Sequence, residues 1–152
     1  MNTELTAEEL ARACGEAMLA ADRASRALGI TVDEVTPGCA RTRMRVTDEM
    51  LNGHEICHGG YVFLLADTAF AFACNTHDAV TVAATCEIVF VEPVRSGEEL
   101  VAEAQERTRF GRSGVYDVTV RRADGSTVAE FRGLSRTVGG TILTDDPSKG
   151  AA

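Results

Sequence analysis

No uncharged apolar stretch in the 152 residues is long enough to cross a bilayer, and the opening residues MNTELTAEEL are polar and acidic, unlike a signal peptide. A C-x-x-C motif is also missing, and the five cysteines are dispersed singly, which is typical of reduced thiols. Basic residues are outnumbered: the formal net charge is −8, which argues against nucleic acid or an anionic membrane as the main partner. We therefore expect a cytoplasmic protein whose partners include neither nucleic acid nor membrane.

The composition is that of an ordinary globular protein. Hydrophobic residues make up 45% of the chain and charged residues 25%, and the length suits one domain with a sizeable core. No repeat or linker divides the sequence. We expect an N-terminal helical segment over residues 1–29, one folded domain over 30–142 and a disordered tail over 143–152.

Hydrophobic periodicity predicts two helices and six strands. Residues 6–28 have apolar side chains at helical spacing, with Thr6 as N-cap, Glu9 three residues later and Gly29 at the stop. Residues 61–75 are apolar on every side, as in a buried helix. Strand patterns cover residues 30–37, 39–46, 79–94, 99–110, 114–123 and 126–138. This order predicts an α+β fold in which an antiparallel sheet wraps a long central helix, with a further helix at the N-terminus.

Residues 54–60 read HEICHGG, and the first five letters match H-E-x-x-H, the zinc motif of metalloproteases. Zinc binding by this motif needs His54 and His58 on one face of a helix, with Glu55 beside the metal. An NG pair precedes the motif and a GG pair ends it, so a helix between them would hold barely one turn. We therefore expect residues 47–60 to form a loop without a metal site.

Asp67 is the only charged residue in the apolar stretch 61–75. Burying an unpaired carboxylate is costly, so Asp67 either bonds to a neighbour such as Thr68 or takes part in chemistry. A carboxylate in an apolar wall tends to have a raised pKa, which suits a general base or nucleophile. The Gly59-Gly60 pair at the start of the helix favours chemistry, because free N–H groups at a helix N-terminus could polarise a carbonyl oxygen.

The spacing between these two features has a geometric consequence. Gly59 and Asp67 are eight residues apart, roughly 12 Å along a helix axis. One small carbonyl group cannot contact both residues from the same helix. If both act, Asp67 of one chain must meet the glycine loop (Gly59-Gly60) of another, which predicts a site at a two-fold dimer interface.

Three segments, NGHEICHGGYVFLLADTAFAFACN, TCEIVFVEPVRSGEEL and FRGLSRTVGGTI, together resemble the hotdog-fold acyl-CoA thioesterases of the phenylacetic acid degradation (PaaI) type. The resemblance covers residues 30–142, and its most specific part is the asparagine, the HGG and the helical aspartate. It implies a hotdog fold and hydrolysis of acyl-CoA, with aryl or arylacetyl groups expected. It also implies assembly as a dimer or a dimer of dimers, and no cofactor, since coenzyme A is part of the substrate.

The resemblance implies roles for individual residues. Asp67 would be the nucleophile or general base, and the backbone N–H of Gly59 from the partner subunit would polarise the thioester carbonyl. His58 would shape the glycine loop, and Asn52 would position that loop or the attacking water. Thr85 would hydrogen-bond near the carboxylate. The substrate-binding residues would be Gly60, Arg112, Ser113 and Gly114, the last three in a segment that resembles the lining of a coenzyme A channel.

Other functions compete with this interpretation. The same fold could be a non-catalytic acyl-CoA binder or sensor, although a pure binder gains nothing from a costly buried carboxylate. A hotdog hydratase needs an aspartate and a histidine together, and His77 is too far beyond Asp67. A zinc hydrolase would depend on His54 and Glu55, to which we can assign no catalytic role. We expect His77 to cap the helix or face solvent, and Cys57 to be a bystander.

Overall fold

The N-terminal segment forms two helices instead of the single helix predicted. In the computed structural model, which describes residues 4–143, α1 spans Ala7–Ala21 and α2 spans Arg23–Ala27. Asp22 causes the break, since its Oδ1 accepts from the Ser25 N–H at 2.9 Å and its Oδ2 from the Ser25 hydroxyl at 2.6 Å. An aspartate that caps a new helix in this way interrupts the preceding one. The predicted tail lies, from residue 144 onward, outside the described residues.

In the described part of the chain, six strands form one antiparallel sheet, as predicted. Their order across the sheet is β1-β2-β4-β5-β6-β3, with every neighbouring pair antiparallel. Each observed strand begins and ends within a few residues of its predicted range. The strands are β1 Thr31–Thr36, β2 Cys39–Arg45, β3 Thr81–Phe90, β4 Glu99–Phe110, β5 Ser113–Arg122 and β6 Thr127–Thr137.

Helix α3 spans Gly59–Cys74 and packs against the inner face of the sheet. Leu65, Phe70 and Phe72 on its buried side are at most 1% exposed. The predicted α+β arrangement around a central helix is therefore confirmed. The helix begins at Gly59, two residues earlier than predicted. The glycine pair forms its first turn, where the N–H groups have no intrahelical acceptor in any case. Among residues 4–143, no helix is both long and apolar enough to cross a membrane.

A glycine in β6 allows α3 to approach the sheet closely. A Cβ atom at Gly133 would lie 2.7 Å from the ring of Phe70. The same ring contacts Tyr116 and Phe131, with centroids 5.5 and 5.8 Å away respectively. The absence of a side chain at Gly133 thus sets the distance between the helix and the strands beside the candidate site.

Strand β3 is an edge of the sheet and contains a β-bulge. Its register with β6 shifts between Ala83 and Thr85. A bulge inserts one extra residue, so the side chains that follow it change face. Before the bulge, Ala83 pairs with the buried Ser135, and after it Cys86 pairs with the buried Gly133. Cys86 therefore faces α3, and Thr85 faces the outer side.

The free edge is also apolar. Val82, Val89, Phe90 and Val91 lie on β3 or directly after it, and all four are 46–56% exposed. An exposed apolar edge strand is a ready template for pairing with another strand.

Gly133→Ala should destabilise the folded chain by about 1–3 kcal/mol, because the added methyl group overlaps the Phe70 ring in a packed interior. Gly53→Ala is the matched control, since a Cβ atom there meets nothing within 4 Å. Urea unfolding of both variants, followed by circular dichroism, measures the two free energies of unfolding. Equal values for the two variants would contradict the tight contact.

Candidate active site

Asp67 lies near the middle of α3, on a helical stripe that a single chain leaves half-exposed. Phe63 and Leu64 precede it by one turn and Ala71 follows it by one turn, and all three are half-buried. These apolar neighbours and the burial raise the pKa of the Asp67 carboxyl above its ordinary value. A carboxylate in such surroundings is a stronger base and nucleophile than one in water.

Within the described residues, a single side chain hydrogen-bonds to Asp67. The Sγ atom of Cys86 lies 3.9 Å from Oδ1, and this contact offsets part of the effect of burial on the pKa. Thr68, the alternative partner considered from the sequence, donates instead to the Leu64 carbonyl at 2.7 Å. Asp67 is therefore not a core aspartate satisfied by Thr68.

The structure separates Thr85 from the carboxylate. Thr85 is exposed and pairs with Leu134 on the outer face of the sheet, whereas its neighbour Cys86 contacts Asp67. The expectation that Thr85 hydrogen-bonds near the carboxylate therefore does not hold within one chain. The bulge in β3 is the physical reason, because it reverses the faces of the residues that follow.

Of the two glycines that begin α3, one has a backbone N–H without an acceptor in the described part of the chain. His58 is the N-cap of α3, and its Nδ1 accepts from the Gly60 N–H at 2.9 Å. The Gly60 N–H is thus already used inside the chain. The Gly59 N–H, in contrast, has no acceptor within residues 4–143. It lies at the positive end of the α3 dipole, where a developing negative charge is stabilised.

Asn52 holds the loop that precedes the helix. Its Oδ1 accepts from the His54 N–H at 2.9 Å and from the Ile56 N–H at 3.4 Å. Glu55 has a positive φ of 59°, so the H-E-x-x-H segment is a turn, and the prediction that it forms no helix is confirmed. In the part of the chain that the structure describes, no group of three or more His, Cys, Asp or Glu side chains could hold a metal ion.

A cavity of about 390 Å³ lies beside Gly59. Phe90 covers the glycine so closely that a Cβ atom at Gly59 would lie 2.8 Å from the ring Cζ. The ring itself is 54% exposed, so it forms a wall of the cavity and not part of the sealed core. The lining is mainly apolar and includes Asn52, Cys57, Val62, Phe90, Val91 and Val128. An apolar group could therefore lie next to the free Gly59 N–H.

The β4–β5 hairpin carries the other predicted substrate-binding residues. Arg112 is exposed and Ser113 half-buried, and both line a cavity of about 170 Å³. Gly114 is buried in the sheet, where a Cβ atom would lie 2.8 Å from the ring of Tyr116. Within one chain Gly114 therefore serves close packing, and its contact with substrate stays a prediction.

A polar cluster at the C-terminal end of α3 is a feature that the sequence did not predict. Glu106 Oε2 accepts from the Tyr116 hydroxyl at 2.6 Å and lies 3.0 Å from His77 Nε2. Burial opposes ionisation, but the hydrogen bonds from Tyr116 and His77 hold the pKa of Glu106 below its ordinary value. His77 thus pairs with Glu106 instead of capping the helix or facing solvent. Its partner is 29 positions away, so no local pattern could reveal the pair.

Apart from Thr85 on the outer face of β3 and Gly114 in the sheet, the predicted site residues form three groups within one chain. Asn52, His58, Gly59 and Gly60 lie together at the start of α3, Asp67 lies eight residues along it, and Arg112 and Ser113 lie on the hairpin. Cys86 and Phe90 are the two neighbours that sequence reasoning missed. Both contacts depend on the bulge, which leaves no clear signal in the residue types.

Comparison with known proteins shows the family of this chain. Residues 54–129 match the family model of the thioesterase superfamily. The acyl-coenzyme A thioesterase PaaI of Escherichia coli K12 is 47% identical over 126 residues, which are 83% of this chain and 90% of that protein.

Solved structures of similar proteins share the fold. The E. coli PaaI structure superposes with a TM-score of 0.88 at 43% identity, over 90% of this chain and 99% of that one. A mutant of the phenylacetic acid degradation protein PaaI from Thermus thermophilus gives a TM-score of 0.74 at 34% identity, over 77% and 100% of the two chains. The expected hotdog fold is thereby confirmed, and this chain belongs to the thioesterase superfamily.

Proposed function

We propose that this protein hydrolyses acyl-CoA thioesters in the cytoplasm to a free acid and coenzyme A, with aryl or arylacetyl groups as the preferred acyl part. The half-buried Asp67 carboxylate, with its raised pKa and apolar neighbours, is the observation that carries the proposal. The E. coli relative, an acyl-coenzyme A thioesterase, supports this substrate class. The reaction needs no cofactor, because coenzyme A is part of the substrate.

Asp67 can act by either of two routes. As a nucleophile, its carboxylate oxygen attacks the thioester carbonyl carbon, coenzyme A leaves as the thiolate, and water then hydrolyses the mixed anhydride. As a general base, it takes a proton from a water molecule that attacks the same carbon directly. In both routes the carbonyl oxygen gains negative charge, which the Gly59 N–H would stabilise.

The proposed site requires two copies of the chain. Gly59 and Asp67 lie on one continuous helix, roughly 12 Å apart along its axis, so they cannot share one carbonyl group. The apolar edge of β3 is the surface on which a second copy would extend the sheet about a two-fold axis. Such pairing would bring Asp67 of one copy toward the glycine loop of the other. Further assembly into a dimer of dimers is part of the same proposal.

Both halves of the site suit an aromatic acyl group. Phe63 flanks Asp67 on α3, and Phe90 walls the cavity beside Gly59. Asn52 and His58 would keep the glycine loop in place through the hydrogen bonds already described. On the hairpin, the exposed Arg112 guanidinium offers a positive charge for a coenzyme A phosphate, with Ser113 beside it.

Asp67→Asn should lower kcat for phenylacetyl-CoA by about 100- to 10,000-fold, because the amide keeps the size of the side chain but cannot act as a base. Release of free thiol measures the rate, and calorimetry measures the Kd, which should stay within about threefold of wild type. Asp124→Asn, in the exposed turn between β5 and β6, is the matched control. Wild-type turnover in Asp67→Asn would overturn the assignment. Binding without hydrolysis in the wild type would favour an acyl-CoA binder.

Mixed dimers should show that the site is shared. Asp67→Asn and Gly59→Val chains, each inactive alone, should regain about one quarter of wild-type activity when co-expressed in equal amounts. Half of the dimers are then mixed, and each mixed dimer has one intact site. No recovery would contradict a shared site.

The reverse experiment is the control. Wild-type chains mixed with excess Asp67→Asn/Gly59→Val chains should lose more activity than dilution explains, since neither site of such a dimer is complete.

The acyl preference can be measured on a panel of thioesters. We expect kcat/KM for phenylacetyl-CoA to exceed that for acetyl-CoA by about 10- to 200-fold, because the aromatic ring gains apolar contacts in the transition state. Phe63→Ala should reduce this ratio, mainly by lowering the value for phenylacetyl-CoA. Equal kcat/KM for the two esters would contradict the aryl preference, and leave thioester hydrolysis itself intact.

A further inference from the structure

Cys86 is placed against Asp67 by the strand register. Its Sγ atom lies 3.9 Å from Oδ1 of Asp67, and its partner in β6 is Gly133. Because Gly133 has no side chain, β6 presents no competing polar group opposite the thiol. The thiol and the carboxylate therefore face each other directly between β3 and α3.

Few titratable groups of residues 4–143 surround this pair. Cys74, two turns further along α3, is close enough for the Asp67 charge to contribute to its raised pKa, although burial is the main cause. Beyond Cys74, Glu106 of β4 and Tyr116 of β5 hydrogen-bond to each other. From β2, the uncharged Thr42 contacts the helix backbone at Leu65. No cation among residues 4–143 pairs with Asp67, so Cys86 is the group that acts on it most directly.

We propose that Cys86 is a positioning residue whose thiol donates a hydrogen bond to Asp67 and holds the carboxylate in the orientation that hydrolysis requires. This inference rests on the function proposed above. It gives to Cys86 the role that the family resemblance gave to Thr85, whose side chain lies on the other face of β3.

A thiol has a chemical advantage at this position. It is a weak hydrogen-bond donor, so it orients the anion while lowering its pKa only slightly. A hydroxyl would stabilise the anion more strongly and make it a weaker base. An apolar side chain would leave the carboxylate free to rotate and would raise its pKa further.

The pH profile of kcat distinguishes positioning from packing. Asp67 acts as the anion, so kcat falls as the pH drops through its pKa. Cys86→Ala and Cys86→Val remove the donor, so the acid limb should move to higher pH by about 0.5 unit, and the plateau should fall severalfold. Cys86→Ser keeps a donor on the same Cβ, and a small rotation of the carboxylate brings it within reach. Its acid limb should stay at or below that of the wild type.

Cys39→Ala is the matched control, because Cys39 lines the outer face of the sheet and should leave the profile unchanged. Thermal unfolding of every variant identifies loss of folding. The proposal is overturned if the alanine and valine profiles coincide with the wild type. It is equally overturned if the serine profile moves with them, or if Thr85→Ala moves the limb and Cys86→Ala does not.

The Cys86 variants and Asp67→Asn test the positioning role and the proposed function separately. If Asp67→Asn abolishes hydrolysis and the Cys86 variants keep the wild-type profile, only the positioning role fails. If Asp67→Asn hydrolyses normally, the function proposed for Asp67 is wrong, and the positioning role that rests on it is wrong as well.

Discussion

The packing of α3 inside the sheet is the constraint on which the candidate site depends. The helix is continuous over 16 residues. The strands pack closely against its buried side, because Gly133 has no side chain to hold the helix and β6 apart. The length of the helix therefore fixes Gly59 and Asp67 roughly 12 Å apart, and no loop movement within one chain can close that gap. In the proposed mechanism a second copy is a condition for catalysis, because each chain alone holds a donor and a carboxylate that cannot meet.

One extra residue in β3 decides which side chains reach these two groups. Strict alternation from Thr81 would turn Thr85 toward α3 and Cys86 toward the outer face. The bulge reverses this order, so Cys86 contacts Asp67 and Phe90 covers Gly59. The same strand is the apolar edge available to a second chain. A single backbone irregularity thus shapes both halves of the site and lies in the surface proposed to join them.

The sequence was sufficient for the parts of the structure that depend on local pattern. Periodicity located α3 and all six strands. The lone charge in the apolar stretch indicated Asp67 as a candidate, and the structure shows this residue half-buried on α3. The sequence was insufficient where a contact depends on register or on distant residues. A bulge among Ala83, Ala84 and Thr85 has no distinctive residue type. The sequence therefore could not predict that Cys86, and not Thr85, faces Asp67. The capping role of Asp22 was visible in its side chain, but helical periodicity continued across it and outweighed that signal.

A comparison of two aspartates in this chain shows why Asp67 is suited to chemistry. Hydrogen bonds from Arg132 and then Arg107 outweigh the effect of partial burial and lower the pKa of Asp117, on the outer face, to about 2. Such a carboxylate is strongly stabilised as the anion and is a poor base. Asp67 is half-buried, and among residues 4–143 it has no cation beside it and contacts only the weak donor of Cys86. Asp67 therefore keeps its basicity, and its burial without a strong partner lowers the stability of the folded chain. A role in binding alone would not require such a carboxylate.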